Sequence, residues 1–117
     1  MPSEAPDQRL HDIIDNIDRI RGHLAGTEDA AALDEKTRDA VERCLERISE
    51  AAKKLGTSIE QHQPQVPWRS IRGLGNVLRH AYDAVDDLTI DEIVREHLGQ
   101  LRQACLAELA RAKRSGE

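Results

Sequence analysis

At 117 residues the chain has room for one domain with a single modest core. Its 22 acids against 17 Lys and Arg, and a formal charge of −5, argue against nonspecific binding along nucleic acid, which needs a broad basic face, but leave room for a small basic cleft. No run of 18 apolar residues and no basic-then-apolar leader appears, so the expectation is a soluble cytoplasmic protein that makes no use of a membrane.

Residues 1–7 carry Pro2 and Pro6 among polar residues and read as a frayed lead-in. Leu10, Ile13, Ile14, Ile17, Ile20 and Leu24 then recur at three- and four-residue steps, which predicts an amphipathic first helix closed by Gly26. Thr27 to Leu33 is a connector. The second helix is expected to start after Asp34 and stop at Gly56, with Val41, Cys44, Leu45, Ile48, Ala51, Ala52 and Leu55 as its core stripe. The residues from there to Pro64 read as a turn or ragged loop. Cys44 and Cys105 lack CxxC spacing, and each falls on the apolar side of a predicted helix. Both are read as reduced core thiols.

Residues 61–82 differ from the rest. They hold three arginines, two histidines, the only tryptophan (Trp68) and the only tyrosine (Tyr82), and no Asp or Glu. Pro67 suits the first turn of a helix, and Ile71, Leu74, Leu78 and Ala81 form its core stripe at 100° per residue. Arg69, Asn76 and His80 lie on roughly the opposite side, with Arg72 and Arg79 on the flank. Gly73 and Gly75 each cost about 1 kcal/mol relative to Ala inside a helix. That cost points to a close approach, by a neighbouring backbone or by a ligand.

After Tyr82, the run Asp83 to Asp87 interrupts the pattern. Thr89 with Glu92 forms a capping box, and Leu88 can staple against Ile93. The stripe Ile90, Ile93, Val94, Leu98, Leu101, Cys105 and Leu109 predicts a last helix to about Ala110, kinked or broken at Gly99, with residues 111–117 fraying. No stretch alternates with a period of two. The chain is therefore expected to be all-α, a single domain over 1–117, built as an up-and-down bundle of four or five helices.

Pro67-Trp68-Arg69, followed by Gly75-Asn76-Val77-Leu78-Arg79-His80-Ala81-Tyr82, resembles the signature of the HEPN superfamily, specifically the HepT-like toxins. That pattern is an Arg, usually followed by Asn, a His four to six residues on and a Tyr two further. Asn76, His80 and Tyr82 match, and Gly75 stands where the family has Arg. The resemblance runs from about Leu10 to Leu109. It implies the same helical bundle, usually a homodimer, and metal-independent RNA cleavage. It also implies a type VII-like toxin–antitoxin pairing with a minimal nucleotidyltransferase antitoxin that can transfer AMP to Tyr82.

RNA cleavage without a metal needs a base for the 2′-OH proton, an acid for the leaving 5′ oxygen, and cations for the phosphorane. His80 suits the proton transfers, since an imidazole gains and loses a proton near neutral pH. Asn76, one turn earlier on the same face, suits orienting the imidazole or holding a phosphate oxygen. Arg69, Arg72 and Arg79 are the candidate phosphate ligands, because guanidinium donates two parallel hydrogen bonds. None replaces an Arg at position 75 directly. Arg79 points about 100° away from His80, Arg72 is two turns distant, and Arg69 lies about 16 Å along the helix. A two-fold dimer is one way to bring an arginine of one copy to the His80 of the other. Plainer roles stand beside these: a packing anchor for Trp68, a bundle cap for Tyr82, and a solvated face or partners for acids for the three arginines. His11, His23, His62 and His97 show no ligand spacing with one another, so no metal and no cofactor is expected. The alternative function is a HEPN module without catalysis, kept as the binding partner or nucleotide-binding subunit of a nucleotidyltransferase.

Overall fold

The computed structural model describes residues 6–26, 34–80 and 92–114, and at positions 77, 79 and 80 the backbone alone. The architecture is all-helical. Helices α1 (Pro6–His23), α2 (Glu35–Leu55), α3 (Ile59–His62) and α4 (Trp68–His80) are followed by a π-helical segment, Ile93–His97, which runs directly into α5 (Leu98–Arg114). Helix α1 packs on α2 and α5, and α2 packs on α4. None of the described helices is long and apolar enough to cross a membrane.

The predicted stripes are the core. Leu10, Ile13, Ile14, Ile17 and Ile20 of α1 are buried against Val41, Cys44, Leu45, Ile48, Ala51, Ala52 and Leu55 of α2, and Leu98, Leu101, Ala104 and Cys105 of α5 join the same cluster. Helix α2 begins and ends where its caps dictate. The Asp34 carboxylate accepts from the Thr37 N–H at 2.7 Å, filling one donor that the first turn leaves open. At the other end Gly56, at φ +79°, takes the left-handed conformation that stops the helix. The α1 helix ends at His23 and turns through Gly26 at φ +82°.

The structure differs from the sequence reading at the start of α1, where Pro6 and Asp7 of the expected lead-in are already helical, and in three further places. The stretch after Gly56 is not wholly loop: Ile59–His62 makes one helical turn, because burying Ile59 gives that turn a tertiary contact its own propensity lacks. The irregularity expected at Gly99 lies just upstream, in the π-helical segment, and Gly99 itself is helical. The helix continues unbroken through the π turn, and Leu98 and Leu101 face the core beyond it. Finally, α5 continues past Ala110 to Arg114, where Arg111, Lys113 and Arg114 complement the negative end of the helix dipole. The connector 27–33 and the predicted Thr89–Glu92 capping box lie outside the described residues.

Helices α1 and α5 are also tied by charge. Arg102 donates to Asp18 at 2.9 and 3.2 Å, and this guanidinium holds the Asp18 carboxyl below its ordinary value of 3.8. A depressed carboxyl adds stability above its unfolded-state value and loses it as pH falls through the folded-state one. Asp18→Asn is therefore expected to flatten the acid limb of a stability-versus-pH curve below about pH 4, with little change at neutral pH because the pair is solvent-screened.

Both cysteines are free and buried, as the spacing predicted. Burial, with a smaller contribution from Glu108, pushes the Cys105 thiol up to about 12. Since the thiolate is the nucleophile, Cys105 is expected to resist alkylation at pH 8 in the folded protein and to react at the free-thiol rate once denatured. Timed iodoacetamide labelling read by mass spectrometry checks this.

Candidate active-site helix

Helix α4 carries the acid-free segment, and what positions it is its seam with α2. Ser49, buried in α2, uses its hydroxyl twice: it donates to the Arg72 carbonyl at 2.8 Å and accepts from the Gly75 N–H at 3.0 Å. Gly75 is itself buried. The close approach expected of a glycine here is therefore made by α2, whose side chain hydrogen-bonds the α4 backbone directly.

Trp68 starts the helix and is 2% exposed, with its indole N–H donating to the Gln63 carbonyl at 2.9 Å. It is a packing anchor. Arg72 is paired with Glu60 of α3, so that guanidinium is engaged inside the chain. Arg69 is exposed and, among the described residues, makes no ion pair. It borders a groove of about 390 Å³ lined also by Glu60, Pro64, Val66 and Pro67.

Asn76 is exposed, as are Arg69 and Gly73. These positions follow one another at i, i+4 and i+7, and position 80 extends the row by one turn, so one open face of α4 carries Arg69, Gly73, Asn76 and the backbone position of His80. The side chains of Arg79 and His80, and the whole of Tyr82, lie outside the described residues. Gly73 has no close neighbour among the described residues: a Cβ built there would meet none of their atoms within 4 Å. Gly73→Ala is expected to stabilise the chain by up to about 1 kcal/mol, since it removes glycine's backbone entropy at no steric cost, and a urea titration would show it as a raised midpoint.

A second groove, of about 450 Å³, runs between α4 and the π-helical segment and is lined by Ser70, Ile71, Leu74, Glu92, Ile93 and His97. Beside it Glu92, Glu96 and His97 each bring one ligand atom within 4.8 Å of the others, a cation-capable grouping that a search for spaced histidines does not register. The two glutamates are exposed, and exposed acids grouped in this way are common without an ion.

Two site-shaping residues were not picked out from the sequence. Ser49 has a signal: it continues the core row Val41, Leu45, Ser49 at four-residue steps, and a hydroxyl at a core position needs partners. Glu60 has none, because its pairing with Arg72 depends on how α3 folds back along α4.

The family comparison covers this framework. Residues 13–107 match the family described as Ribonuclease HepT-like. The chain is 31% identical over 104 residues to "Putative RNase MJ1216" of Methanocaldococcus jannaschii, covering 88% of this chain and 86% of that one. It is 36% identical over 69 residues to "Probable ribonuclease HepT" of Thermococcus cleftensis, covering 59% and 63%. No solved structure matches significantly. With most of its length matched, this chain belongs to the HepT-like ribonuclease family of HEPN proteins.

Proposed function

We propose that the protein is a metal-independent endoribonuclease, the toxin of a HEPN and minimal nucleotidyltransferase pair, acting as a homodimer. The observation that carries this reading is the open face of α4, where Arg69 and Asn76 are exposed and, among the described residues, unpaired on a helix without acids, with His80 one turn beyond Asn76. His80 takes the 2′-OH proton and returns one to the leaving 5′ oxygen, while Asn76 orients it or holds a phosphate oxygen. Arg72 is committed to Glu60, so Arg69 or Arg79 supplies the phosphate contact. Arg69 is too far along its own helix to serve His80 in the same copy, which favours a two-fold arrangement in which each copy lends its arginine to the other. Gly73, on the same face and without a neighbour among the described residues, allows a second backbone or a nucleic-acid strand to come close. AMP placed on Tyr82 by the antitoxin would add charge and bulk beside His80 and exclude RNA.

One observation favours a second reading. Gly75 stands at the family's Arg position and is buried in the α2 seam, so the local phosphate ligand is missing. A module that binds a nucleotidyltransferase without cutting RNA follows if no other arginine substitutes. The discriminating experiment is cleavage of mixed cellular RNA in EDTA by the native protein. Cleavage that is lost in Arg69→Ala or Arg79→Ala supports the first reading. An inactive native protein that still captures the nucleotidyltransferase supports the second.

A further inference from the structure

The absence of acids from α4 is a property of its sequence and not of its surroundings. Helix α3 folds back along α4 and sets the Glu60 carboxylate against Arg72, where it accepts from Nη2. Glu60 is also the one acid among the described residues that line the groove bordered by Arg69. A single carboxylate thus lies beside two arginines of the helix, paired with one and sharing a groove with the other.

The pair is placed to exchange. The Arg72 and Glu60 side chains are 20% and 40% exposed, so water screens the ion pair, and such a pair is worth a factor of about five at most in an equilibrium. It also uses the guanidinium incompletely: Nη1 has no acceptor among the described residues, whereas an oxyanion that faces the fork squarely takes two parallel hydrogen bonds. The α3 turn itself is fixed, because Ile59 is buried in the core and the Gln63 carbonyl just beyond the turn receives the Trp68 indole N–H. Rotation of the Glu60 side chain is therefore enough to release Arg72, with no backbone shift. On α4, Arg72 precedes Asn76 by four residues and position 80 by eight, so one row carries all three, with Arg72 about 12 Å from position 80 along the axis.

We propose that Glu60 is a latch on the RNA-binding face: its carboxylate occupies the Arg72 guanidinium until a phosphate of a bound RNA strand displaces it. Arg72 then holds a phosphate elsewhere on the strand from the scissile one, which Arg69 or Arg79 serves. A lone anion has to displace Glu60 for a single contact. A strand already held by another arginine of the face presents its next phosphate at high effective concentration, so the latch yields to a polyanion before it yields to small anions. The inference rests on the ribonuclease reading, because that reading is what brings a strand to this face.

The test is a double-mutant cycle on the full chain carrying His80→Ala, so that no RNA is consumed, in EDTA at physiological salt. The Kd of a short single-stranded RNA of mixed sequence is read by fluorescence anisotropy. Glu60→Gln removes the charge and keeps the shape, and Arg72→Gln keeps the packed part of the stem. Glu60→Gln is expected to tighten RNA binding about two- to fivefold, the factor that an exposed pair contributes. In the Arg72→Gln background the same change is expected to have little effect, because no guanidinium is left to release. Arg72→Gln is also expected to reduce the slope of log Kd against log salt by about 0.7, the single-strand value for one phosphate contact. The latch is overturned if Glu60→Gln leaves RNA binding unchanged, or if it tightens binding equally in both backgrounds, which is the mark of a general gain in positive field. Cleavage of the same RNA by the protein with His80 intact separates this failure from that of the underlying reading. RNA that is bound and cut with equal gains in the two backgrounds removes the latch alone, whereas no binding and no cleavage removes both.

Discussion

RNA cleavage by the His80→Ala protein is expected to fall by about 10²- to 10⁴-fold, the contribution of a positioned general acid or base. Losing one imidazole removes both proton transfers, because the group that accepts the 2′-OH proton is regenerated by giving one to the 5′ oxygen. The loss should appear in kcat rather than in RNA binding, since in the proposed mechanism the imidazole acts on the reacting atoms while arginine holds the phosphate. A gel assay on a defined RNA under single-turnover conditions separates the two. If cleavage by the native protein follows a titration near neutral pH and His80→Ala removes that dependence, the proton-transfer role is supported. If His80→Ala cleaves as the native protein does, the chemistry lies elsewhere and the proposal fails.

The largest expected stability effect is at Trp68. Trp68→Ala should cost about 3–5 kcal/mol, the range for truncating a buried aromatic, against a total of about 5–15 kcal/mol for an ordinary domain. Two losses add. The ring leaves a cavity in the core cluster, and the Gln63 carbonyl loses the indole N–H that closes the turn into α4. Trp68→Phe keeps much of the packing and removes only the donor, so it should cost about 1–3 kcal/mol. Urea denaturation followed by circular dichroism orders the variants, and equal midpoints for both would contradict the packing role. Because Trp68 sets where α4 begins, a destabilised start also loosens the row Arg69, Gly73, Asn76, and RNA cleavage should decline below the unfolding midpoint.

The reach of the sequence is clearest in α2. Asp34, the apolar stripe and Gly56 define start, face and stop through interactions local to the helix, and the structure reproduces all three. The same holds for the core rows of α1 and for Ile71 and Leu74 of α4, where a 3.6-residue period is enough to say which side is buried. Periodicity failed where tertiary contacts set the outcome. The α3 turn exists because Ile59 has a place in the core, and the π-helical segment Ile93–His97 has no counterpart in the regular apolar stripe of the sequence.

For the candidate active-site helix, the sequence by itself determined that charge and aromatic surface are concentrated in one acid-free segment, and that Asn76 and His80 share a face one turn apart. Both are consequences of composition and helical spacing. Only the tertiary structure decided which of these groups are at liberty. Arg72 is held by Glu60, Trp68 is buried on Gln63, and Gly75 is pressed against Ser49, whereas Arg69, Gly73 and Asn76 remain open. The reason is physical: a helix's own spacing fixes the angles between its side chains, but which of those angles meets another helix depends on residues 12 to 26 positions away, whose contacts exist only once the chain has folded back on itself.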